Sequence, residues 1–201
     1  MNVLNIIANE TNRLNTGQQK LVMMVYAAMF AALMAIGANI TTFLPFLVVA
    51  GVPITLQTFF AILAGLLLGS RGGVLATTLY MALGLIGAPV LAGFKGGPAQ
   101  LFSPFFGFVV SFIIVAYVVG KISETYPTKV GFVIAATVGT VINYVFGTTW
   151  MYYAWKFWAE APEVFSYKIA WLALVPPMPK DAVLMVVCGL LGYRIAHIKR
   201  R

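Results

Sequence analysis

In a chain that is mostly apolar, the few polar side chains inside apolar stretches are where chemistry could be done. Asp181 directly follows Pro179-Lys180 and opens an apolar run. A carboxylate in a first helical turn gains about 0.3–1 kcal/mol from the helix dipole. In a shielded pocket the same carboxylate would accept N–H groups from a ligand. Lys180 beside it, and Lys95 set among Gly93, Gly96 and Gly97, are candidate cations for an anionic ligand. Glycines at such positions let backbone N–H groups approach a bound molecule closely; the plainer reading of Lys95 is a solvated loop lysine. Asn143 and Tyr144 fall in the middle of an apolar run. A buried amide there is costly unless paired, so the pair marks either helix–helix bonding or a substrate path. Gln57, near the start of another run, reads the same way with less force.

Other chemistries are excluded by what the sequence lacks. It has no GxxxxGK[ST] phosphate loop, no HExxH, no GxSxG and no carboxylate pair suited to acid–base catalysis. The chain is therefore expected not to be an enzyme, and not to hydrolyse ATP by itself. The single cysteine, Cys188, rules out an intramolecular disulfide and a cysteine metal site. The one histidine, His197, stands beside the terminal Lys199-Arg200-Arg201 cluster and reads as interfacial. No metal and no cofactor are expected. The net charge of +8 does not point to nucleic acid, because no basic stripe with interleaved aromatics lies outside the apolar runs.

The elements that must position these residues are membrane spans. Of 201 residues, 61% are apolar and 9% charged, far from the roughly 25% charged residues of an average soluble domain. No charge interrupts the chain between Lys20 and Arg71. Six spans are expected: Lys20–Leu44, Thr55–Gly69, Val74–Leu91, Pro104–Gly120, Val130–Tyr153 and Asp181–Ala196. A Pro- and Gly-punctuated connector, Pro45 to Pro53, separates the first two. Ser70-Arg71-Gly72-Gly73 forms a tight turn before the third, and a glycine-rich loop, Gly93 to Pro98, follows it. The second, fourth and sixth spans are short, which is tolerated where segments are buried in protein or line a cavity. Residues 1–19 are polar, and the first apolar run is too long for a signal-peptide core, so it is expected to be retained. With the N-terminus inside, the inner side collects Arg13, Lys20, Arg71, Lys121, Lys129, Arg194 and the basic tail. The outer side holds Lys95, Lys156, Lys168 and Lys180. Both termini are thus expected in the cytoplasm. The chain reads as one transmembrane domain over 1–201, with a polar segment 1–19, a six-helix bundle 20–196 and a basic tail 197–201.

Two further patterns concern contacts. Ala27, Ala31 and Ala35 recur at i+4 on the first span, with Ala28 and Ala32 alongside. Such a small-residue face allows close approach of a helix, either within the bundle or on a partner protein. Aromatics crowd the outer ends, among them Phe94, Phe102, Phe105, Phe106, Trp150 and Trp158; most are expected to form an interfacial belt.

In order and spacing, these motifs resemble the BioY family, the biotin-binding S components of energy-coupling factor (ECF) transporters. The resemblance covers about residues 20–195. It rests on Val52-Pro53-Ile54-Thr55-Leu56-Gln57-Thr58, on Ala64 to Arg71 (AGLLLGSR), on Tyr80 to Pro89 (YMALGLIGAP), on Ala92-Gly93-Phe94-Lys95-Gly96-Gly97 and on Pro179-Lys180-Asp181. It implies an all-α six-helix bundle with an outward-facing site capped by the first loop, in a bacterial cell membrane. It implies that an alanine face, Ala27/Ala31 or Ala28/Ala32, docks on a transmembrane coupling protein energised by two cytosolic ATPases. It also implies that the vitamin is bound without ATP and released inside as the subunit tips over. Many relatives carry Gly-Pro-Thr-Gly-Gly-Tyr where this chain has Ser103-Pro104-Phe105-Phe106-Gly107-Phe108, and a lysine where this chain has Leu184. Biotin's ureido ring would be read by Asp181 and Asn143, and its carboxylate neutralised by Lys95 or Lys180. The Phe105-Phe106 departure motivates the alternative of another vitamin, such as lipoate, pantothenate or thiamine. A channel or a structural adaptor is the rival from a different class.

Overall fold

The computed structural model describes residues 16–43, 48–49, 52–53 and 55–197. The expected polar segment before Thr16, most of the first-loop cap and the tail after His197 lie outside the described residues. Among the described residues the fold is nearly all helix: α1 (Thr16–Phe43), α2 (Gln57–Leu85), α3 (Phe106–Thr125), α4 (Lys129–Phe157), a short α5 (Tyr167–Leu172) and α6 (Met178–Ala196). The exception is a two-residue antiparallel hairpin, β1 (Val48–Val49) with β2 (Val52–Pro53), in the connector after α1.

Helix α1 is apolar on all sides, as a membrane helix should be. Ala27, Phe30, Ala31, Met34 and Ala38 are buried in the bundle, whereas Met24, Val25, Met29 and Ile36 stay exposed on the outer faces. Of the two alanine pairs, Ala27 and Ala31 therefore belong to the core, and Ala28 and Ala32 are exposed. Of the two expected pairs, only the second presents its side chains on the surface of the bundle.

The segment Gln57–Leu85 is two antiparallel arms, 57–68 and 70–85. Gly69 (φ 74°, ψ −178°) breaks the helical run. The Gln57 side chain reaches the Tyr80 hydroxyl, although a straight helix would separate these residues by roughly 35 Å. A reversal was expected at 70–73; it is confined to Gly69, whose positive φ only glycine adopts without strain. Residues 70–73 already form the first turn of the second arm. That turn is capped from α3, where Glu124 Oε1 accepts the Ser70 N–H at 2.7 Å and the Ser70 hydroxyl at 3.0 Å.

The second arm ends at Leu85 rather than Leu91, because Gly87 turns with φ 106° and Pro89 cannot continue a helix. Helix α4 runs past Tyr153 to Phe157, and the expected long loop beyond it contains α5. Among the described residues four helices are long and apolar enough to cross a membrane: Thr16–Ile40, Gln57–Leu85, Phe106–Thr125 and Lys129–Phe157. Counting both arms of the hairpin, and adding α6, whose Lys180, Asp181 and Arg194 reduce its apolarity, brings the bundle to the expected six spans.

Candidate functional site

A cavity of about 370 Å³ opens where α1, the first arm, α3, α4 and α6 converge. That volume falls within the range of small-molecule pockets. Its wall includes Thr42, Thr55, Gln57 and Thr58, the turn Leu91–Gly93 with Lys95, and Ser103, Phe105, Phe106 and Phe112. Gln100, Phe108, Val109, Asn143, Tyr144, Leu174, Pro177, Lys180 and Asp181 complete it.

The most strongly charged part of the wall is the start of α6. Pro177 is the N-cap and Pro179 lies in the first turn, where a missing N–H costs the helix little, and Asp181 sits in the same turn. Its Oδ2 accepts the Tyr144 hydroxyl at 2.7 Å, and its Oδ1 lies 2.8 Å from Lys180 Nζ. The Asp181 side chain is 15% exposed and that of Lys180 27%, so the ion pair is shielded but reachable from the cavity. The Lys180 ammonium also donates to the Thr55 carbonyl, which ties α6 to the start of the first arm. Leu184, the second departure expected from the family pattern, lines a smaller void with Cys188 and Met185 instead of the main cavity. Lys180 precedes it by one helical turn on the same face, so an ammonium is still supplied to this region from a different rung.

Asn143 is 2% exposed and joins three helices. Its Nδ2 donates to the Phe108 carbonyl at 3.2 Å and to the Ser111 hydroxyl at 2.6 Å, while its Oδ1 accepts the Thr58 hydroxyl at 3.1 Å. The carbonyl can only accept, which fixes the amide's orientation. Asn143 is thus a helix–helix connector and a cavity wall residue together. Gln57 Nε2 donates to the Tyr80 hydroxyl, and Gln57 Oε1 accepts from Thr55 at 3.2 Å.

Subtracting these bonds leaves a definite donor and acceptor set facing the cavity. Asp181 keeps two lone-pair sites, and Asn143 Oδ1 and the Tyr144 oxygen can each accept once more. Gln57 and Lys180 each keep one N–H. Lys95, on the exposed side of the wall, has no carboxylate partner among the described residues. Together these groups can accept up to four hydrogen bonds and donate two, and Lys95 can neutralise an anion.

Gly96 and Gly97 are not on the cavity wall. The Gly97 N–H donates to the Gly84 carbonyl at 2.7 Å, and a Cβ on Gly96 would meet the Ala88 carbonyl oxygen at 2.4 Å. Both shape the loop that carries Lys95. Thr58, Ser103, Phe112, Leu174 and Pro177 line the cavity without having been singled out from the sequence. Ser103 and Phe105–Phe106 reach it because Trp150 Nε1 donates to the Ser103 carbonyl at 3.2 Å and Trp158 Nε1 to that of Phe102 at 2.8 Å. Those tryptophans, expected in a belt, also tether the loop after the short 3-10 turn Pro98–Phe102. Both departures at Phe105 and Phe106 thus fall on the wall itself.

Residues 10–201 match the family model described as the BioY family. BioYB of Bacillus subtilis (strain 168) is 44% identical over 179 residues, covering 87% of this chain and 88% of that protein. The biotin transporter BioY of Thermotoga maritima is 30% identical over 176 residues, covering 88% of this chain and 96% of that protein. A crystal structure of the S-component for biotin from an ECF-type ABC transporter superposes with a TM-score of 0.73 at 21% identity, over 90% of this chain and 93% of that one.

Proposed function

The chain belongs to the BioY family, and on that premise we propose that it is the substrate-capture subunit of an ECF-type importer, taking up biotin from outside the cell. It is a multi-pass membrane protein, not an enzyme. The observation that carries the reading is the donor and acceptor set of the cavity. A ureido ring has two N–H donors and one carbonyl, and biotin's tail ends in a carboxylate. Asp181, with the Asn143 and Tyr144 oxygens beside it, accepts the ureido N–H groups. Gln57 or Lys180 donates to the ureido oxygen. Lys95 rather than Lys180 pairs with the tail carboxylate, because Lys180 is already committed to Asp181 and the Thr55 carbonyl. Phe105 and Phe106 cover the apolar bicycle. A dry site of this kind rejects analogues that lack the polar edge, since its own groups are then left unpaired.

Delivery to the cytoplasm needs partners: a transmembrane coupling protein and two ATPases, with the exposed Ala28/Ala32 face of α1 as the docking surface and both termini in the cytoplasm. The likeness in fold to an ECF S-component and the exposure of that alanine pair support this part of the reading.

Isothermal titration of the detergent-purified, ligand-stripped protein with biotin, and with lipoate as comparison, tests the substrate. Tight one-to-one biotin binding is expected. Asp181→Asn removes the anionic acceptor and the partner of Lys180, and should weaken binding about 100-fold, the scale of a lost charged hydrogen bond. Heat with lipoate and none with biotin would keep the fold and transfer the substrate to the vitamin that the Phe105–Phe106 wall accommodates. Rapid ATP-independent equilibration of biotin across proteoliposomes holding this chain alone would instead indicate a facilitator.

A further inference from the structure

Lys95 is held in place from a distance, by a residue of α1 that does not line the cavity. The turn carrying it is closed by Leu91 and Lys95, whose backbones exchange N–H···O bonds of 3.0 and 3.2 Å. Inside the turn Gly93 (φ 75°) and Phe94 (φ 55°) are both left-handed, a conformation that costs a residue with a side chain. Something outside the turn must hold it.

Asn39, 3% exposed on the bundle side of α1, makes that contact. Its Oδ1 accepts the Phe94 N–H at 2.6 Å, and its Nδ2 donates to the Val90 carbonyl at 3.4 Å and to the Ala35 carbonyl at 2.9 Å. One amide therefore grips both sides of the turn while anchored to its own helix. The Tyr80 hydroxyl donates to the same Val90 carbonyl at 3.0 Å.

We propose that Asn39 is a positioning residue for substrate recognition, clamping the 90–95 turn so that the Lys95 ammonium meets the ligand's carboxylate. This rests on the reading of Lys95 given above. It makes a specific demand: loss of Asn39 should cost affinity for the carboxylate, not for the ring.

The test compares biotin with its alcohol analogue, in which the carboxylate is replaced by hydroxymethyl. Both are titrated into the full-length protein and its variants Lys95→Ala, Asn39→Ala and the double variant. Lys95→Ala should weaken biotin about tenfold or more, the scale of a lost charged contact, and leave the alcohol nearly unchanged. Asn39→Ala should show the same signature at about threefold to tenfold, and should add nothing in the Lys95→Ala background. Asn39→Gln, which keeps the amide but displaces it, is measured alongside with the same expectation, in case the alanine variant does not fold. Equal loss of both ligands in the Asn39 variants would make Asn39 a packing residue and overturn the proposal, as would an effect additive with Lys95→Ala. A selective loss in Lys95→Ala with none in the Asn39 variants would overturn the clamp alone. No selective loss in Lys95→Ala would overturn the reading of Lys95, and the clamp with it.

Discussion

The two ends of the first arm of α2 solve opposite problems. At its start, Gln57 and Thr58 face a cavity whose polar groups are paired with one another but not exhausted. At its far end, roughly 17 Å along the helix, Gly69 reverses the chain and every neighbour is in close contact. There the polar groups have local partners: Ser70 bonds Glu124, and the hydroxyls of Thr77 and Ser123 return to backbone carbonyls of their own helices. A Cβ on Gly120 would lie 2.3 Å from the Ser70 nitrogen and 2.5 Å from its Cα. One end is packed backbone against backbone; the other is held apart by side chains of different lengths. The difference shows where substitutions should change stability and where they should change binding.

The strongest challenge to that division is Gly120→Val. The obstacle is backbone rather than a side chain that could swing away, so α3 and the hairpin must separate. Destabilisation near the top of the overpacking range is expected, about 3 kcal/mol, seen as a lower unfolding temperature and a smaller folded fraction in detergent. Biotin affinity per folded molecule should stay within about twofold of the parent. A variant that unfolds normally yet binds poorly would mean that the hairpin end shapes the cavity.

The sequence announces these two regions unequally. Asp181, Lys180, Asn143 and Gln57 are conspicuous because a polar group in an apolar run needs a reason, and the structure brings them to one wall together with Tyr144 and Lys95. Asn39 has the same anomaly, between Ala38 and Ile40, but its partners are Val90 and Phe94, 51 and 55 residues away, and nothing local points to them. Thr58 and Ser111 are concealed differently: helical hydroxyls commonly bond their own backbone, so their service to Asn143 emerges only from packing. The spans were legible because charges bound long apolar runs. Their ends were less so: Ser70-Arg71-Gly72-Gly73 has the composition of a turn, yet a carboxylate 54 residues away lets it begin a helix.

On the cavity side the sharper test is Tyr144→Phe. It removes one hydroxyl that donates to Asp181 Oδ2 at 2.7 Å and leaves the ring in place. Asp181 retains Lys180, so the carboxylate stays roughly placed, but loses the bond that aims its second oxygen. Biotin affinity should fall about tenfold, the lower end for a hydrogen bond to a charged group, with an unfolding temperature close to the parent's. An affinity unchanged by the substitution would show that Lys180 alone orients Asp181.

The smallest expected effect is at Glu124. Its carboxylate accepts the Ser70 N–H and hydroxyl at the start of the second arm, with Lys121 at 3.5 Å. Glu124→Gln keeps an oxygen in reach of Ser70 and loses the charge that complements the helix N-terminus and pairs with the exposed Lys121. That charge is worth about 0.3–1 kcal/mol, so a slight drop in unfolding temperature is expected, shrinking further as salt is added. Among the described residues no hydrogen bond or ion pair joins this cap to the cavity wall, so biotin affinity should not move. If it falls in step with stability, the cap and the cavity are coupled through the first arm. The packed end would then be part of the binding apparatus rather than its foundation.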